Sequence, residues 1–235
     1  MGQNGLTVSK GAAAGELYRE LERRFQLQTV AAQFKEQPLQ IIKVADLDQL
    51  LEGVSDADRI PFWAELWPAA LGLTRFIADN AHLVAGRSVL ELGAGVGLAG
   101  IAARLAGADL LQTDYLEEAL RFIRVNSLRN GLPEPRLLLA DWRAFPEIGR
   151  FDLVLGADIL YEKTLHDALI VVIEKTVKPD GLVWLADPGR EAAVEFILRM
   201  IERGWSLSQT QTPVNHENKL LSIDIYQLRP GRNRE

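Results

Sequence analysis

The sequence contains no cysteine. Disulfides, thiolate metal sites and cysteine nucleophiles are thereby excluded, and a reducing compartment, the cytoplasm, is the expected location. Histidine is almost as scarce, with three in the chain. His82, His166 and His216 lie too far apart along the sequence to suggest a metal centre, and no metal is expected. No apolar run approaches the roughly 20 residues of a membrane span. The opening MGQNGLTVSK lacks the apolar stretch of a secretory signal, and Leu6 stands where an N-myristoylation motif wants Ser or Thr. Positive charge is in deficit: Lys and Arg number 26 against 32 Asp and Glu, a net charge of −6. The broad positive field that nucleic-acid binding uses is missing. Neither nucleic acid nor a membrane is expected as a partner, and a monomer is the simpler expectation.

What is present describes a globular chain of 235 residues, 48% hydrophobic and 25% charged. A chain of this length can bury roughly 70–75% of its unfolded surface. Residues 11–25 carry Leu17, Leu21 and Phe25 at helical spacing. Leu27 to Phe34 and Leu39 to Val44 suggest a β-hairpin, and Ala45 to Leu51 one or two helical turns. Pro61 opens an aromatic stretch, PFWAELWP, and a helix is expected from Pro68 to about Asn80. Residues 1–60 form an N-terminal extension packed on the core, and residues 61–235 the main domain.

From Arg87 strands and helices alternate. Strands are expected over SVLELG, Asp109 to Thr113, Arg136 to Ala140, Phe151 to Ala157 and Leu182 to Ala186. Helices are expected over 96–108, Glu117 to Asn130, Glu162 to Val177 and Arg190 to Arg203. Trp205 to Gln211 and Leu220 to Leu228 are expected as final strands joined by a polar loop. This alternation predicts an α/β fold: a seven-strand, Rossmann-like, mostly parallel sheet with helices on both faces and an antiparallel last strand pair. Asp114, Asp141, Asp158 and Asp187 each follow a predicted strand, on the rim where open parallel sheets bind ligands. Any one of them could instead cap a helix.

ELGAGVGLAG, Glu91 to Gly100, follows a strand and opens a helix. Gly95 to Gly100 matches the dinucleotide pattern G-x-G-x-x-G. Counted from Gly93, the residue that directly follows the strand, the pattern is instead G-x-G-x-G, with Leu98 at the third dinucleotide position. Glu91 beside that loop favours a cationic ligand over pyrophosphate.

An acidic residue followed by G-x-G-x-G resembles the first motif of the class I, seven-strand S-adenosylmethionine-dependent methyltransferases. Three further pieces, PFWAELWP, Asp158-x-x-Tyr161 in GADILYE, and Asp187-Pro-Gly-Arg190, resemble the D-x-x-Y group of protein-lysine methyltransferases. Within it the similarity points to the branch acting on the electron transfer flavoprotein β subunit, with bacterial relatives that include nicotinamide N-methyltransferase-like proteins. The resemblance spans Trp63 to Leu228. It implies S-adenosyl-L-methionine held by Trp67, Glu91, Gly93, Ala94, Gly95, Asp114, Asp141, Trp142 and Ala157. Asp114 would accept from the ribose, Asp141 and Trp142 would frame the adenine, and Glu91 would act near the amine or sulfonium. Asp158 and Tyr161 are implied as catalytic, with Trp63, Asp187 and Arg190 on the substrate side. A lysine of a protein, such as the electron transfer flavoprotein β subunit, is the implied acceptor. The alternatives are a small nicotinamide-like acceptor, an NAD-dependent oxidoreductase using Gly95 to Gly100, and a non-catalytic cofactor-binding module.

Overall fold

The computed structural model describes residues 5–46 and 62–231. Helix α1 (Gly5–Arg24) leads into a hairpin of β1 (Leu27–Phe34) and β2 (Gln37–Val44). The core follows as α2 (Pro68–Asp79), β3 (Ser88–Leu92), α3 (Leu98–Leu105), β4 (Asp109–Asp114), α4 (Glu117–Arg129), β5 (Arg136–Leu139), β6 (Phe151–Ala157), α5 (His166–Thr176), β7 (Val177–Asp187), α6 (Glu191–Glu202), β8 (Ser206–His216) and β9 (Lys219–Arg229). Seven strands form one sheet in the order β5-β4-β3-β6-β7-β9-β8. Only β9 runs against the rest: it pairs antiparallel with both β7 and β8, which restores β8 to the common direction. Among the described residues no helix is long and apolar enough to cross a membrane.

Two cores flank the sheet. Residues of α2, α3 and α4, with Leu21 and the hairpin's Leu39, Ile41 and Ile42, fill one face; residues of α5 and α6 fill the other. The strands feed both by alternation, as the two-residue period of a strand requires: Trp184 enters the first core while Val183 and Leu185 enter the second. The order reverses at β3, which pairs with β4 on one side and β6 on the other. In such sheets the crevice beyond the strand ends at the reversal is the ligand site.

The hairpin is docked by side chains standing in for a third strand. Asn126 of α4 accepts from Ile42 N–H at 2.8 Å and returns a bond to Ile42 O at 2.9 Å. Asn130, one turn on, repeats the pair at Gln40. Four residues of helix and two of strand both advance about 6–7 Å, so the asparagines meet successive outward-facing peptides. Lys43 completes the anchorage on Glu65 at 2.6 Å.

Several boundaries differ from expectation. The last two strands extend to a two-residue turn, Glu217-Asn218, both at positive φ; Thr212 and Val214 keep the alternation by burying against the core, while polar Asn215 and His216 obscure it. Lys163–Leu165 is a 3-10 turn, capped by an extended Glu162, rather than the start of α5, and β7 begins at Val177, taking in Pro179-Asp180-Gly181 through a register shift. The helical turns expected at Ala45 to Leu51 lie mostly outside the described residues, and Ala45 and Asp46 are not helical.

Candidate active site

Beyond the carboxyl ends of β3, β4 and β6 lies a cavity of about 280 Å³, lined among others by Trp63, Trp67, Gly93, Asp114, Asp158 and Arg190. A smaller lobe of about 80 Å³ adjoins it, walled by Asp141, Trp142 and Arg143. Phe62, Gly93, Tyr115 and Tyr161 border both lobes.

The floor is the glycine loop. Gly93, Gly95 and Gly97 all sit at positive φ, which glycine adopts without a side-chain penalty. A Cβ on Gly93 would come within 2.8 Å of Ile159 and 3.2 Å of Trp142. Ala94 N–H donates to Thr113 O and Gly97 N–H to Ala94 O, which ties the loop to β4 and closes its turn. Asp114 is 4% exposed and accepts from Gly95 N–H at 3.0 Å and Leu116 N–H at 3.2 Å. Burial pushes its carboxyl up to about 6, against the pull of those backbone donors.

The acidic side of the cavity belongs to β6 and β7. Asp158 follows β6 at φ 61, a left-handed conformation rare for residues with a side chain. It is 7% exposed. One of its oxygens, Oδ1, accepts from Arg190. The other, Oδ2, is buried with no hydrogen-bond partner. Burial raises this carboxyl above the usual range, with Arg190 opposing and Asp187 adding to the shift. Asp187 is fully buried and holds the loop after β7, accepting from the N–H groups of Gly189 and Arg190 at 2.8 and 2.7 Å and from the Arg190 guanidinium at 2.9 Å. A single guanidinium thus spans two carboxylates.

Aromatic rings form the remaining wall. Phe62 packs on Tyr161 at 5.2 Å between ring centroids and on Trp67 at 6.1 Å, and Trp67 Nε1–H donates to Phe62 O. Trp63 packs edge-on against Phe122 at 5.3 Å. Tyr161 is 41% exposed at the mouth. Lost hydration, with Tyr115, Glu162 and Asp158 nearby, pushes its phenol up to about 12, so it remains a donor at neutral pH.

Of the residues singled out in the sequence, Trp63, Trp67, Gly93, Gly95, Asp114, Ala157, Asp158, Tyr161 and Arg190 line the main cavity, and Asp141 and Trp142 the smaller lobe. Three stand elsewhere. Glu91 is 2% exposed and borders neither lobe. Strand alternation turns it under α3, where it meets Gln112 Nε2 at 2.8 Å and the Gly100 N–H. Ala94 acts as a tether within the loop and does not line the cavity, and Asp187 lies behind Arg190. Asp141 is itself a cap: it accepts from Arg143 N–H at 2.9 Å and from the Arg143 guanidinium, which holds its carboxyl below the usual range. Phe62, Tyr115 and Ile159 line the cavity without having been singled out. Each adjoins a motif residue in sequence, and that adjacency was the available signal.

The family model described as "Lysine methyltransferase" matches residues 61–203, more than half of the chain. The chain belongs to that family. Among relatives, the electron transfer flavoprotein beta subunit lysine methyltransferase of Rattus norvegicus is 36% identical over 132 residues, covering 55% of this chain and 51% of that protein. EEF1A lysine methyltransferase 3 of Mus musculus is 32% identical over 179 residues, covering 73% and 74%. The chain spans about half the length of the first of these and about three quarters of the second. The 16S rRNA N2 G1207 methyltransferase of T. thermophilus, solved with AdoMet and guanosine, superposes with a TM-score of 0.62 at 16% identity over 87% of this chain and 51% of that one. At that identity the likeness is one of fold.

The family's methyl donor is S-adenosylmethionine, and the residues here fit it. Gly93 and Gly95 floor the cavity at positive φ, buried Asp114 lines it at the end of β4, and Asp158, also on the lining, leaves Oδ2 without a partner. No group of three or more His, Cys, Asp or Glu side chains suited to a metal occurs among the described residues.

Proposed function

We propose that this protein transfers a methyl group from S-adenosylmethionine to the side-chain amine of a lysine in a protein substrate. The observation that carries this reading is Asp158: a buried carboxylate with one oxygen fixed by Arg190 and the other lacking a donor, set in an aromatic-walled cavity that the glycine loop floors. An incoming amine supplies that donor.

Gly93, Gly95, Asp114, Trp142 and Ala157 would hold the cofactor, which when bound supplies a methyl group on a sulfonium. Asp114 would accept from two ribose hydroxyls, bonds about twice as strong to a charged acceptor as to a neutral one. The acceptor lysine enters as a cation with a pKa near 10.4, so holding it neutral at pH 7 costs about 4–5 kcal/mol. Phe62, Trp63 and Ile159 keep water from it, which lowers that pKa. Asp158 Oδ2 takes one N–H and aims the lone pair along the cavity. Arg190 neutralises part of the acidic charge, so the pocket does not trap the ammonium form. The proton leaves to water, and Tyr161 walls the acceptor channel with its hydroxyl as donor. Positioning of this kind can supply about 7–11 kcal/mol of barrier reduction.

The exposed aromatics at the mouth, Tyr161 and Tyr115, favour a side chain presented by a protein over a small molecule enclosed in a sealed pocket. The electron transfer flavoprotein β subunit is the first candidate acceptor, from the similarity to the rat protein named above. We further take the cytoplasm as the working compartment and a monomer as the working form. The test is incubation of the protein and methyl-labelled S-adenosylmethionine with lysate, alongside Asp158→Ala. Label in a discrete protein band, lost by at least 100-fold in the variant, is the expected result. Label confined to small molecules would overturn the protein acceptor, and undiminished labelling by the variant would overturn the role of Asp158.

A further inference from the structure

We propose that Asn126 is a positioning residue through which the docked N-terminal hairpin holds the cofactor loop in shape. The inference rests on residues 93–97 cradling S-adenosylmethionine. Asn126 is fully buried on α4. Besides its two bonds to Ile42 of β2, its Nδ2 donates to Val96 O at 2.9 Å. Val96 lies between the two glycines that close the loop. Its carbonyl and the Gly97 N–H belong to one planar peptide and point opposite ways. That N–H donates to Ala94 O at 2.8 Å, closing the turn that presents Gly95 to Asp114. The bond from Asn126 therefore fixes the peptide plane on which the turn depends.

The same helix supplies a second brace. Ile123, one turn before Asn126, fills the space where a Cβ on Gly97 would stand, at 3.1 Å. Asn126 cannot swing away from Val96 without giving up both bonds to Ile42, so the hairpin locks its side chain. Its amide has no spare donor: both N–H groups and the carbonyl oxygen are engaged. Asn130 supplies an internal contrast. It makes the matching pair of bonds to Gln40 one step along β2, and its remaining bond goes to Asn126 O rather than to the loop.

The experiment measures S-adenosylhomocysteine binding by calorimetry in the full chain and in Asn126→Ala and Asn130→Ala. Loss of the Val96 bond is expected to weaken binding about tenfold in the first, while the second stays within twofold of the unaltered chain although both lose thermal stability. If the hairpin and the loop are coupled, the ligand is expected to slow hydrogen exchange at the Ile42 amide, and this is read in the unaltered protein if Asn126→Ala does not fold. Unchanged affinity in Asn126→Ala, equal weakening in both variants, or exchange at Ile42 indifferent to the ligand would each overturn the proposal. Failure of the unaltered chain to bind S-adenosylhomocysteine would instead remove the cofactor reading, and this inference with it.

Discussion

Replacing Glu91 with Gln is expected to flatten the pH dependence of stability. Glu91 is 2% exposed, and burial pushes its carboxyl from near 4.5 up to about 8, with the charge of Asp114 adding to the shift and bonds from Gln112 and Gly100 opposing it. Between those two values the folded chain holds a proton that the unfolded chain has released. The stability Glu91 contributes is therefore whole below about pH 4.5 and is lost as pH rises toward 8, by up to roughly 1.4 kcal/mol per pH unit. The neighbouring geometry suits the protonated form. Gln112 Nε2 donates to Glu91 Oε2, while Gln112 Oε1 is buried without a partner. A protonated Glu91 brings an O–H donor to that pair, and a glutamine at position 91 brings an N–H donor that does not titrate. Urea unfolding followed by tryptophan fluorescence at about pH 6.5 and 8 is the assay, a window above the titration of Asp114 near 6. The unaltered chain is expected to lose about 2 kcal/mol across it and the variant less than half as much. Equal losses in both, or a loss that grows in the variant, would falsify the assignment of the proton to Glu91.

The raised carboxyl of Asp114, near 6, bears on cofactor affinity. S-adenosylhomocysteine is expected to bind about fivefold to tenfold more weakly at pH 5 than at pH 7, because protonation replaces a charged acceptor with a neutral one; Asp114→Asn should bind weakly at both, as calorimetry would show. Arg190→Met leaves Asp158 and Asp187 facing one another without their shared counter-ion. Losing one partner of a fully buried pair costs about 3–5 kcal/mol. The Arg190 side chain is 35% exposed, so solvent reduces this to about 1–3 kcal/mol, or roughly 2–10 °C in melting temperature. Arg190→Lys should recover part of that loss in the same melts.

The alternation of apolar strands and amphipathic helices made the sheet legible, because a parallel sheet covered on both faces leaves few other places for such segments. The hairpin was legible from two strand-like pieces flanking a polar run, and its packing on the core was expected, but the side-chain bonds that dock it were not legible. Asn126 and Asn130 read as ordinary polar positions of a helix until β2 is placed against them. The site was legible as a list of strand ends, and less so as directions of side chains. Glu91 stands two residues before Gly93 in the chain, yet strand alternation sends it under α3. Asp187 and Asp158 look equivalent in sequence, both following a strand, and differ because Asp187 spends its oxygens on its own loop while Asp158 keeps one unpartnered. Phe62 stands in the same short motif as Trp67, but its packing on Tyr161, 99 positions further along the chain, is a contact that no local pattern encodes.

The left-handed backbone of Asp158 sets stability against activity at a single residue. A side chain at φ 61 carries a strain of about 1 kcal/mol or more, and an unpartnered buried oxygen adds a desolvation cost. Glycine would relieve both, and although it gives up the Arg190 bond, that guanidinium would keep Asp187 as its partner. A population of this chain selected only for heat resistance should therefore drift toward glycine at position 158 and become more durable as it loses the amine-binding carboxylate. Retention of aspartate there would record selection for what the cavity binds, at the expense of the fold that encloses it.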